Sequence, residues 1–248
     1  MDKNFAKRVF ACIDNTTLNA TDNDASVEAF CRHTLELQTL EKAHVAAVCI
    51  YPRFVSVARR TLPVDFKIAS VAGAFPHGQL PMKLKIEEVR YAIGEGADEI
   101  DMVLSRGLLL AGEYNAVSDE VATMKEACQG KTLKVILETG ELPSPTLIRK
   151  ASELAIAGGA DFIKTSTGKI GIGATLESAE VMLKSIADSV KINKKTVGFK
   201  AAGGISTPEE ALAYAEMAKK IVGDNFVNNQ TFRIGASRLT DKLYSILT

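Results

Sequence analysis

The feature that most constrains the fold is a regular alternation of short apolar runs with helical patterns. Eight runs rich in β-branched residues recur along the 248-residue chain. They are nearly continuous hydrophobic stretches, as strands are when both faces of a sheet are covered. The predicted strands are RVFACID (8–14), HVAAVCIY (44–51), FKIASVAG (66–73), DEIDMVL (98–104), LKVILET (133–139), DFIKTS (161–166), TVGFKAA (196–202) and FRIGAS (232–237).

Helical periodicity occupies the segments between these runs. Apolar faces at helical spacing are formed by Ile86, Val89 and Ile93, and by Val117, Val121, Met124 and Cys128. Ser144-Pro145 and Thr207-Pro208-Glu209-Glu210 are typical helix starts, with a capping residue followed by proline. Gly96 and Gly158-Gly159 are typical helix ends.

Eight strand–helix units in a chain of this length match a closed (β/α)8 TIM barrel. We therefore predict the α/β class and a single domain over residues 1–248. The alternative is an open doubly wound sheet, which usually carries a GxGxxG turn after its first strand. The segment ACIDNTTLN contains no glycine, so the barrel is favoured.

Composition and charge argue against several classes of function. The 30 basic residues are balanced by 30 acidic ones, so the chain lacks the basic footprint that nucleic acids and membrane surfaces require. No run approaches the ~20 apolar residues of a membrane-spanning helix. The N-terminus MDKNFAKRVFACIDN has no signal-peptide core followed by a cleavage site, so we expect a cytoplasmic location.

The cysteines and histidines indicate neither disulfides nor a metal centre. Cys12, Cys31, Cys49 and Cys128 are scattered and form no CxxC pair, which predicts free, mostly buried thiols. The three histidines lack the spacing of metal ligands, so no metal site and no cofactor are expected.

An internal repeat points to a functional site. The segments 96–101 and 159–164 share the pattern G-A-D-x-I followed by a charged residue, and both lead into predicted strands, the fourth and the sixth. Alternate strands of a barrel fill the same interior layer. We therefore expect Ile100 and Ile163 to face the helices, and Asp101 and Lys164 to point together into the barrel mouth.

A second lysine joins this pair on the seventh strand. In TVGFK, alternation places Val197 and Phe199 outward and Lys200 inward. Burial and a neighbouring cation both disfavour a protonated amine, so the pKa of Lys164 should be lowered, as in enzymes that form Schiff bases. A single strand-end lysine more often packs its stem and reaches solvent with its head. The convergence of Asp101, Lys164 and Lys200 favours catalysis, because barrel enzymes work at the carboxyl ends of their strands.

Three glycine-containing segments follow strands six, seven and eight. They are Thr165-Ser166-Thr167-Gly168-Lys169, Ala202-Gly203-Gly204-Ile205-Ser206 and Gly235-Ala236-Ser237-Arg238. Loops after strands 7 and 8 commonly bind phosphate in this architecture, and a helix starting near Ser237 would add its positive end. Lys169 and Arg238 are the candidate cations. The alternative is that Gly203-Gly204 is only a turn before the cap at Thr207.

At these residues the sequence resembles the class I 2-deoxyribose-5-phosphate aldolase family, from Asp14 to about Leu239. The resemblance is carried chiefly by DFIKTSTGK together with TVGFK and the following AGG. Supporting segments are DNTTLN (14–19), CIYPRF (49–54), FPHG (75–78), GADEIDMV (96–103) and ILETGEL (136–142).

The resemblance implies metal-independent cleavage of 2-deoxy-D-ribose 5-phosphate into D-glyceraldehyde 3-phosphate and acetaldehyde. It implies that Lys164 forms the Schiff base and that Asp101 and Lys200 transfer protons. Asp14, Thr16 and Leu18 would line the mouth, although Asp14 also suits a turn. Cys49 would lie near the mouth, where reactive aldehydes attack. The family further implies small-molecule phosphosugar and aldehyde substrates and a homodimer.

The sequence departs from the family pattern at a few positions. Ala201 replaces a frequent proline, and Ser206 stands where many members have a basic residue. Arg238 stands where a small polar residue is common, so we hypothesise that it supplies the phosphate charge absent at Ser206. Some members end in a mobile tail with a terminal tyrosine, whereas Tyr244 is expected to pack in the last helix.

Two alternative functions remain open at the level of the sequence. One is another Schiff-base phosphosugar aldolase or transaldolase, although such enzymes place the lysine on other strands. The other is a non-catalytic phosphosugar-binding barrel, which the joint presence of Asp101, Lys164 and Lys200 disfavours.

Overall fold

A computed structural model describes residues 2–37, 44–193 and 196–247. Within them, eight parallel strands follow one another in chain order and close into a barrel. The predicted (β/α)8 fold is therefore confirmed. The strands are β1 (Ile13–Thr16), β2 (Ala47–Ile50), β3 (Ile68–Ala72), β4 (Glu99–Val103), β5 (Thr132–Ile136), β6 (Phe162–Lys164), β7 (Gly198–Ala202) and β8 (Phe232–Ala236).

Helices surround the barrel and connect its strands. They are α1 (Lys3–Phe10), α2 (Asp24–Glu36), α3 (Val55–Thr61), α4 (Met82–Gly94), α5 (Arg106–Leu110), α6 (Tyr114–Ala127), α7 (Pro145–Ala157), α8 (Leu176–Asn193), α9 (Pro208–Ile221) and α10 (Leu239–Leu247). Short 3₁₀ turns occur at Pro52–Phe54, Thr139–Glu141 and Asp224–Phe226. No helix in the described parts of the chain is long and apolar enough to cross a membrane.

The predicted starts of two helices are confirmed by their capping groups. Ser144 caps α7 by accepting a hydrogen bond from the backbone N–H of Leu147, and Pro145 takes the first helical position. Thr207 and Glu210 form a reciprocal capping box at the start of α9. These contacts satisfy N–H groups that have no partner within the helix.

The predicted first strand is wrong over its first half. Residues 8–10 belong to α1, and β1 begins only at Ile13. The apolar side chains of Phe5, Ala6, Val9 and Phe10 lie on one buried helical face, which packs against α9 and α10. Asp2 caps this helix by accepting from the backbone N–H groups of Asn4 and Phe5. A helix face and a buried strand are hard to separate in so short an apolar run.

Two apolar clusters occupy different sides of the sheet. The larger lies between the barrel and its helices, and it contains Ile100, Ile163 and Phe199, which were predicted to face outward. Tyr244 packs against it from α10, as expected. The smaller cluster comprises Leu18, Ala47, Cys49, Ala69 and Val71, which lie on the β2–β3 side of the interior. All four cysteines are free and buried, as predicted.

Candidate active site

Alternation along the strands brings the predicted charged side chains together inside the barrel. Lys164 and Lys200 are paired in register on β6 and β7. The Nζ atom of Lys164 lies 2.8 Å from Oδ2 of Asp101, and the Nζ atom of Lys200 lies 2.7 Å from the same oxygen. The predicted convergence is therefore confirmed, while the catalytic roles remain predictions.

Four more buried residues extend this group into an ionic cluster. The ionic cluster is defined by ion pairs among Asp14, Glu99, Asp101, Lys134, Lys164, Lys200 and Arg233, each at most 4% exposed. Lys134 Nζ lies 2.9 Å from Oδ1 of Asp101 and 2.5 Å from Oε2 of Glu99. Asp14 links the other side, 2.5 Å from Lys200 and 2.6 Å from Arg233.

Glu99, Lys134 and Arg233 were not identified as site residues from the sequence. The signal was present, because Glu99 precedes Asp101 by two positions and Lys134 interrupts the apolar run LKVI. Residues two apart on a strand face the same side. Arg233, likewise, precedes Gly235 by two positions.

The ionic cluster holds three carboxylates and four basic side chains. Buried charges are stable only when opposite charges compensate them. Three protonated basic groups would balance the three carboxylates, so one basic group is in excess. This arrangement favours a neutral amine at one of the four positions.

The pKa shifts identify that position as Lys164. Burial lowers the pKa of Lys164 and Lys200 lowers it further, while Asp101 opposes both. Burial would also lower the pKa of Lys200, but the carboxylates of Asp101 and Asp14 outweigh it and raise the pKa. The pKa of Lys134 is raised in the same way, with Asp101 as the largest opposing contribution to burial. Both predicted causes act at Lys164, and burial is the larger.

The carboxylates of the ionic cluster stay ionised despite their burial. Burial alone would raise the pKa of Asp101, yet Lys134, Lys164 and Lys200 hold it well below its usual range. Asp14 and Glu99 show the same direction, with Lys134 as the strongest cationic neighbour of each. Asp101 therefore remains ionised in the resting site.

A cavity of about 250 Å³ opens above the ionic cluster at the carboxyl ends of the strands. Of the seven cluster residues, Lys164 alone lines it. The predicted residues that line the cavity with it are Thr16, Leu18, Thr167, Gly168, Lys169, Gly203, Gly204, Gly235 and Ser237. The lining also includes Ala202, Ile205 and Ala236, which belong to the predicted glycine-containing segments, and Thr17 and Asn19, for which no binding role was predicted.

The glycines of this cavity allow two loops to meet backbone to backbone. Gly203 has φ +89°, and a Cβ atom there would lie 3.0 Å from the Cα of Gly173 and 3.3 Å from the Cα of Gly168. A Cβ atom on Gly173 would overlap the carbonyl group of Gly203. The loops after β6 and β7 therefore exclude side chains at their contact, which leaves backbone groups at the cavity wall.

The loop after β6 is held by buried polar contacts. The carboxylate of Glu138 accepts hydrogen bonds from the backbone N–H of Thr167 over 3.1 Å and from its hydroxyl over 2.5 Å. Glu138 adopts φ 54°, which is uncommon for a residue other than glycine. Thr165 exchanges two 3.0 Å hydrogen bonds with the backbone of Ala202. Thr165 thus braces the loop against β7, and Glu138 is a supporting residue that the sequence analysis missed.

Several predicted binding residues lie outside the cavity lining. Asp14 lies below it in the ionic cluster, and Cys49 is buried with its Sγ atom 4.0 Å from Oδ2 of Asp101. Burial raises the pKa of Cys49, so this group is a thiol near neutral pH and its attack by aldehydes remains a prediction. Ser206 donates its backbone N–H to Glu210 and accepts from Lys242.

The two candidate phosphate cations are placed differently. Lys169 lines the cavity, and its Nζ atom donates to the carbonyl oxygen of Leu18 across the mouth. Arg238 is exposed and does not line the cavity. The helix α10 begins at Leu239, one residue after Arg238, so the expected helix start near Ser237 is confirmed.

The described residues contain no group of three or more His, Cys, Asp or Glu side chains arranged to hold a metal ion. The site is built instead from amines, carboxylates and backbone amides. The molecule is a closed parallel barrel with buried lysines at the carboxyl ends of its strands. Barrel proteins with functional groups at this end are typically enzymes.

Comparison with known proteins identifies the family. Residues 8–240 match the model described as DeoC/LacD family aldolase, so the chain belongs to this family. It is 44% identical to a deoxyribose-phosphate aldolase of Agrobacterium fabrum (strain C58), over 98% of this chain and 91% of that protein.

Solved structures agree with the assignment. The aldolase QR15 is 30% identical, with a TM-score of 0.81 over 96% of each chain. The deoxyribose phosphate aldolase of Aeropyrum pernix, described as a unique tetramer, is 25% identical, with a TM-score of 0.73 over 97% of this chain and 91% of that one. The predicted family resemblance is confirmed.

Proposed function

We propose that this protein is a deoxyribose-phosphate aldolase of the Schiff-base type. It would reversibly cleave 2-deoxy-D-ribose 5-phosphate into D-glyceraldehyde 3-phosphate and acetaldehyde, without metal or cofactor, in the breakdown of deoxyribose phosphates. The name of the Agrobacterium relative supports the substrate. The observation that carries the reaction type is Lys164, which is the member of the ionic cluster that both lines the cavity and has a lowered pKa.

The chemistry begins with the neutral amine of Lys164. Its Nζ atom attacks the C1 carbonyl of the open-chain sugar, and loss of water from the carbinolamine gives an iminium cation. A base removes the proton of the C3 hydroxyl, and the C2–C3 bond breaks. The bonding electrons move to the iminium and form an enamine, while D-glyceraldehyde 3-phosphate leaves. Protonation of the enamine at C2 and hydrolysis release acetaldehyde and regenerate the amine.

Asp101 and Lys200 are the proposed proton-transfer pair. They are hydrogen-bonded to each other over 2.7 Å, and Asp101 also contacts Lys164 directly. Neither lines the cavity, so a water molecule would carry protons between them and the substrate. Positioned acid–base groups of this kind typically contribute about 10²–10⁴-fold to the rate.

The glycine-rich wall is the proposed phosphate site. Gly168, Gly203, Gly204, Gly235 and Ser237 line one continuous cavity with Lys169. Backbone N–H groups in such loops, together with a helix start, attract anions. The phosphate would sit here, so that the other end of the sugar reaches Lys164.

Trapping with borohydride tests the proposed function. Reduction in the presence of acetaldehyde should leave a two-carbon adduct on Lys164, detected by peptide mass spectrometry. Lys164→Met should lose the adduct and the cleavage activity, while Lys184→Met, which changes an exposed lysine, should retain both. Absence of an adduct in the unchanged protein would contradict the proposal and favour a binding protein. An adduct without acetaldehyde release from the phosphosugar would favour another Schiff-base aldolase.

Two further properties are proposed with the function. The first is that the reaction needs no metal ion, and loss of activity on treatment with EDTA would contradict it. We also propose a homodimer in the cytoplasm, for which sedimentation of the purified protein gives the mass. The A. pernix relative is described as a tetramer, so a mass of four chains is the competing outcome.

A further inference from the structure

Arg233 and Glu99 form a charged pair on the side of the ionic cluster away from the mouth. Two nitrogens of the Arg233 guanidinium donate to Glu99 over 2.8 Å and 3.1 Å, and one of them also donates to Asp14 over 2.6 Å. Both residues line a second cavity, of about 400 Å³, near the amino ends of the strands. Neither residue lines the mouth cavity, so direct contact with the substrate is not expected.

Two chains of ion pairs connect this charged pair with Lys164. In the first, Arg233 contacts Asp14, Asp14 contacts Lys200, and Lys200 contacts Asp101 at 2.6, 2.5 and 2.7 Å. In the second, Glu99 contacts Lys134 at 2.5 Å, and Lys134 contacts Asp101 at 2.9 Å. Both end on the carboxylate that accepts from Lys164.

We propose that Arg233 and Glu99 are positioning residues that set the proton occupancy of Lys164 through the charge balance of the ionic cluster. This inference rests on the proposed function, because it concerns the amine that forms the Schiff base. With Arg233 and Glu99 both charged, three cations balance three carboxylates while Lys164 is neutral. Neither residue needs to touch the substrate to act in this way.

Loss of the Arg233 charge and loss of the Glu99 charge shift the charge balance of the ionic cluster in opposite directions. Without the charge of Arg233, three carboxylates face two cations, and protonation of Lys164 restores neutrality. Without the charge of Glu99, two carboxylates face three cations, and protonation of Lys164 becomes less favourable. Loss of both charges restores the balance. Charges in a poorly hydrated interior interact strongly enough for such changes to matter.

No other ionisable side chain near Lys164 is replaced in these variants. The titratable or charged groups that act on it directly are Cys49 of β2, Asp101 of β4 and Lys200 of β7. Asp14 of β1 and Lys134 of β5 lie behind them and pair with Lys200 and Asp101. Glu138 and Lys169 lie near the mouth in the loops after β5 and β6. From β3, Ala69 and Val71 face the interior. Because all these side chains are present in every variant, differences between the variants report the loss of charge at residues 99 and 233.

The test uses four variants of the full chain. Arg233→Met and Glu99→Gln each remove one charge with limited change in side-chain length, and Glu99→Gln/Arg233→Met removes both. Arg233→Lys keeps the charge and controls for altered packing. The measurement is the rate at which acetaldehyde and cyanoborohydride label Lys164, followed by peptide mass spectrometry across pH, because the neutral amine is the reactive form.

The expected result is a pair of opposite shifts. The labelling midpoint is the pH at which the labelling rate is half its maximum. It should rise by about one pH unit in Arg233→Met and fall by about one pH unit in Glu99→Gln, because neighbouring charges commonly shift a pKa by this amount. The double variant and Arg233→Lys should have midpoints close to the unchanged protein. Unchanged midpoints in both single variants, or shifts in the same direction, would overturn the inference.

Folding and function are separated by the controls. If circular dichroism shows that Arg233→Met does not fold, the midpoints of Glu99→Gln and Arg233→Lys decide the question. Labelling of Lys164 in the unchanged protein tests the proposed function alone. If Lys164 is labelled but its labelling midpoint does not change on substitution at residues 99 and 233, the aldolase proposal stands and the charge-balance role is excluded.

Discussion

Lys164 donates a hydrogen bond to Oδ2 of Asp101 over 2.8 Å, although the two residues are 63 positions apart in the sequence. An anion at this distance would normally keep a lysine protonated. Here the carboxylate is shared with Lys134 and Lys200, and Lys164 is only 3% exposed. Burial and competition for one carboxylate therefore leave Lys164 as the weakest base of the three lysines.

Replacing Lys200 should impair the reaction and move its pH dependence. In Lys200→Met the cation that lowers the pKa of Lys164 is lost, so this pKa should rise. The active form is the neutral amine, and activity disappears as pH falls through the pKa. The acidic limb of kcat/KM should therefore shift to higher pH, with kcat reduced about 10²–10⁴-fold by loss of proton transfer. Rates measured from pH 5 to 10 check this, and an unmoved limb would argue against it.

Replacing Asp101 should separate Schiff-base formation from cleavage. In Asp101→Asn the anion that raises the pKa of Lys164 is gone, so the amine should be neutral at lower pH than in the unchanged protein. Adduct formation should persist in the borohydride experiment, whereas kcat for cleavage should fall about 10²–10⁴-fold. Circular dichroism controls for folding, because Asp101 also pairs with Lys134. Equal losses of adduct and cleavage would contradict separate roles.

The proposed phosphate site should depend more on Lys169 than on Arg238. Lys169 lines the cavity, so Lys169→Met should raise KM for the phosphorylated substrate at least about tenfold, as loss of a hydrogen bond to a charged group does. Arg238→Ala should raise this KM by a smaller factor. The unphosphorylated sugar is the control substrate, for which neither variant should change KM. An unchanged KM in Arg238→Ala would exclude the hypothesis that Arg238 replaces a charge absent at Ser206.

The loop after β6 should depend on the carboxylate of Glu138. In Glu138→Gln, one of the two donors of Thr167 would face an amide N–H₂ group instead of an oxygen. Loss of such a buried hydrogen bond typically costs about 1.5–3 kcal/mol when one partner is charged. We expect a lower midpoint of urea unfolding and a several-fold higher KM. Glu126→Gln, at an exposed position, is the matched control. Wild-type KM in Glu138→Gln would count against a role in the loop.

Strand alternation was sufficient to predict the centre of the site. The positions of Asp101, Lys164 and Lys200 follow from period-two alternation and from the equivalence of strands in a barrel. The extension of the ionic cluster to Lys134 and Arg233 could not be predicted from this alternation. A lysine or arginine on a strand often turns its head toward solvent, so the sequence did not show that Lys134 and Arg233 remain inside.

Other differences also have local causes. The run RVF in residues 8–10 is too short for periodicity to distinguish a helix from a strand, and its partners in α9 and α10 lie near the other end of the sequence. Glu138 has a positive φ that nothing in its residue type indicates. Its role depends on Thr167 of the neighbouring loop, and contacts of this kind are created by the fold.

The contact between Gly173 and Gly203 limits how this enzyme family member can change its substrate range. Because main chain meets main chain there, a substitution at either position would separate the loops before it reshaped the pocket. Substitutions at Thr17 and Asn19, which line the same cavity on the β1 side, would alter its wall without touching this contact. Change in the aldehydes that the cavity accepts is therefore expected on the β1 side, while the backbone contact between the loops after β6 and β7 keeps its shape.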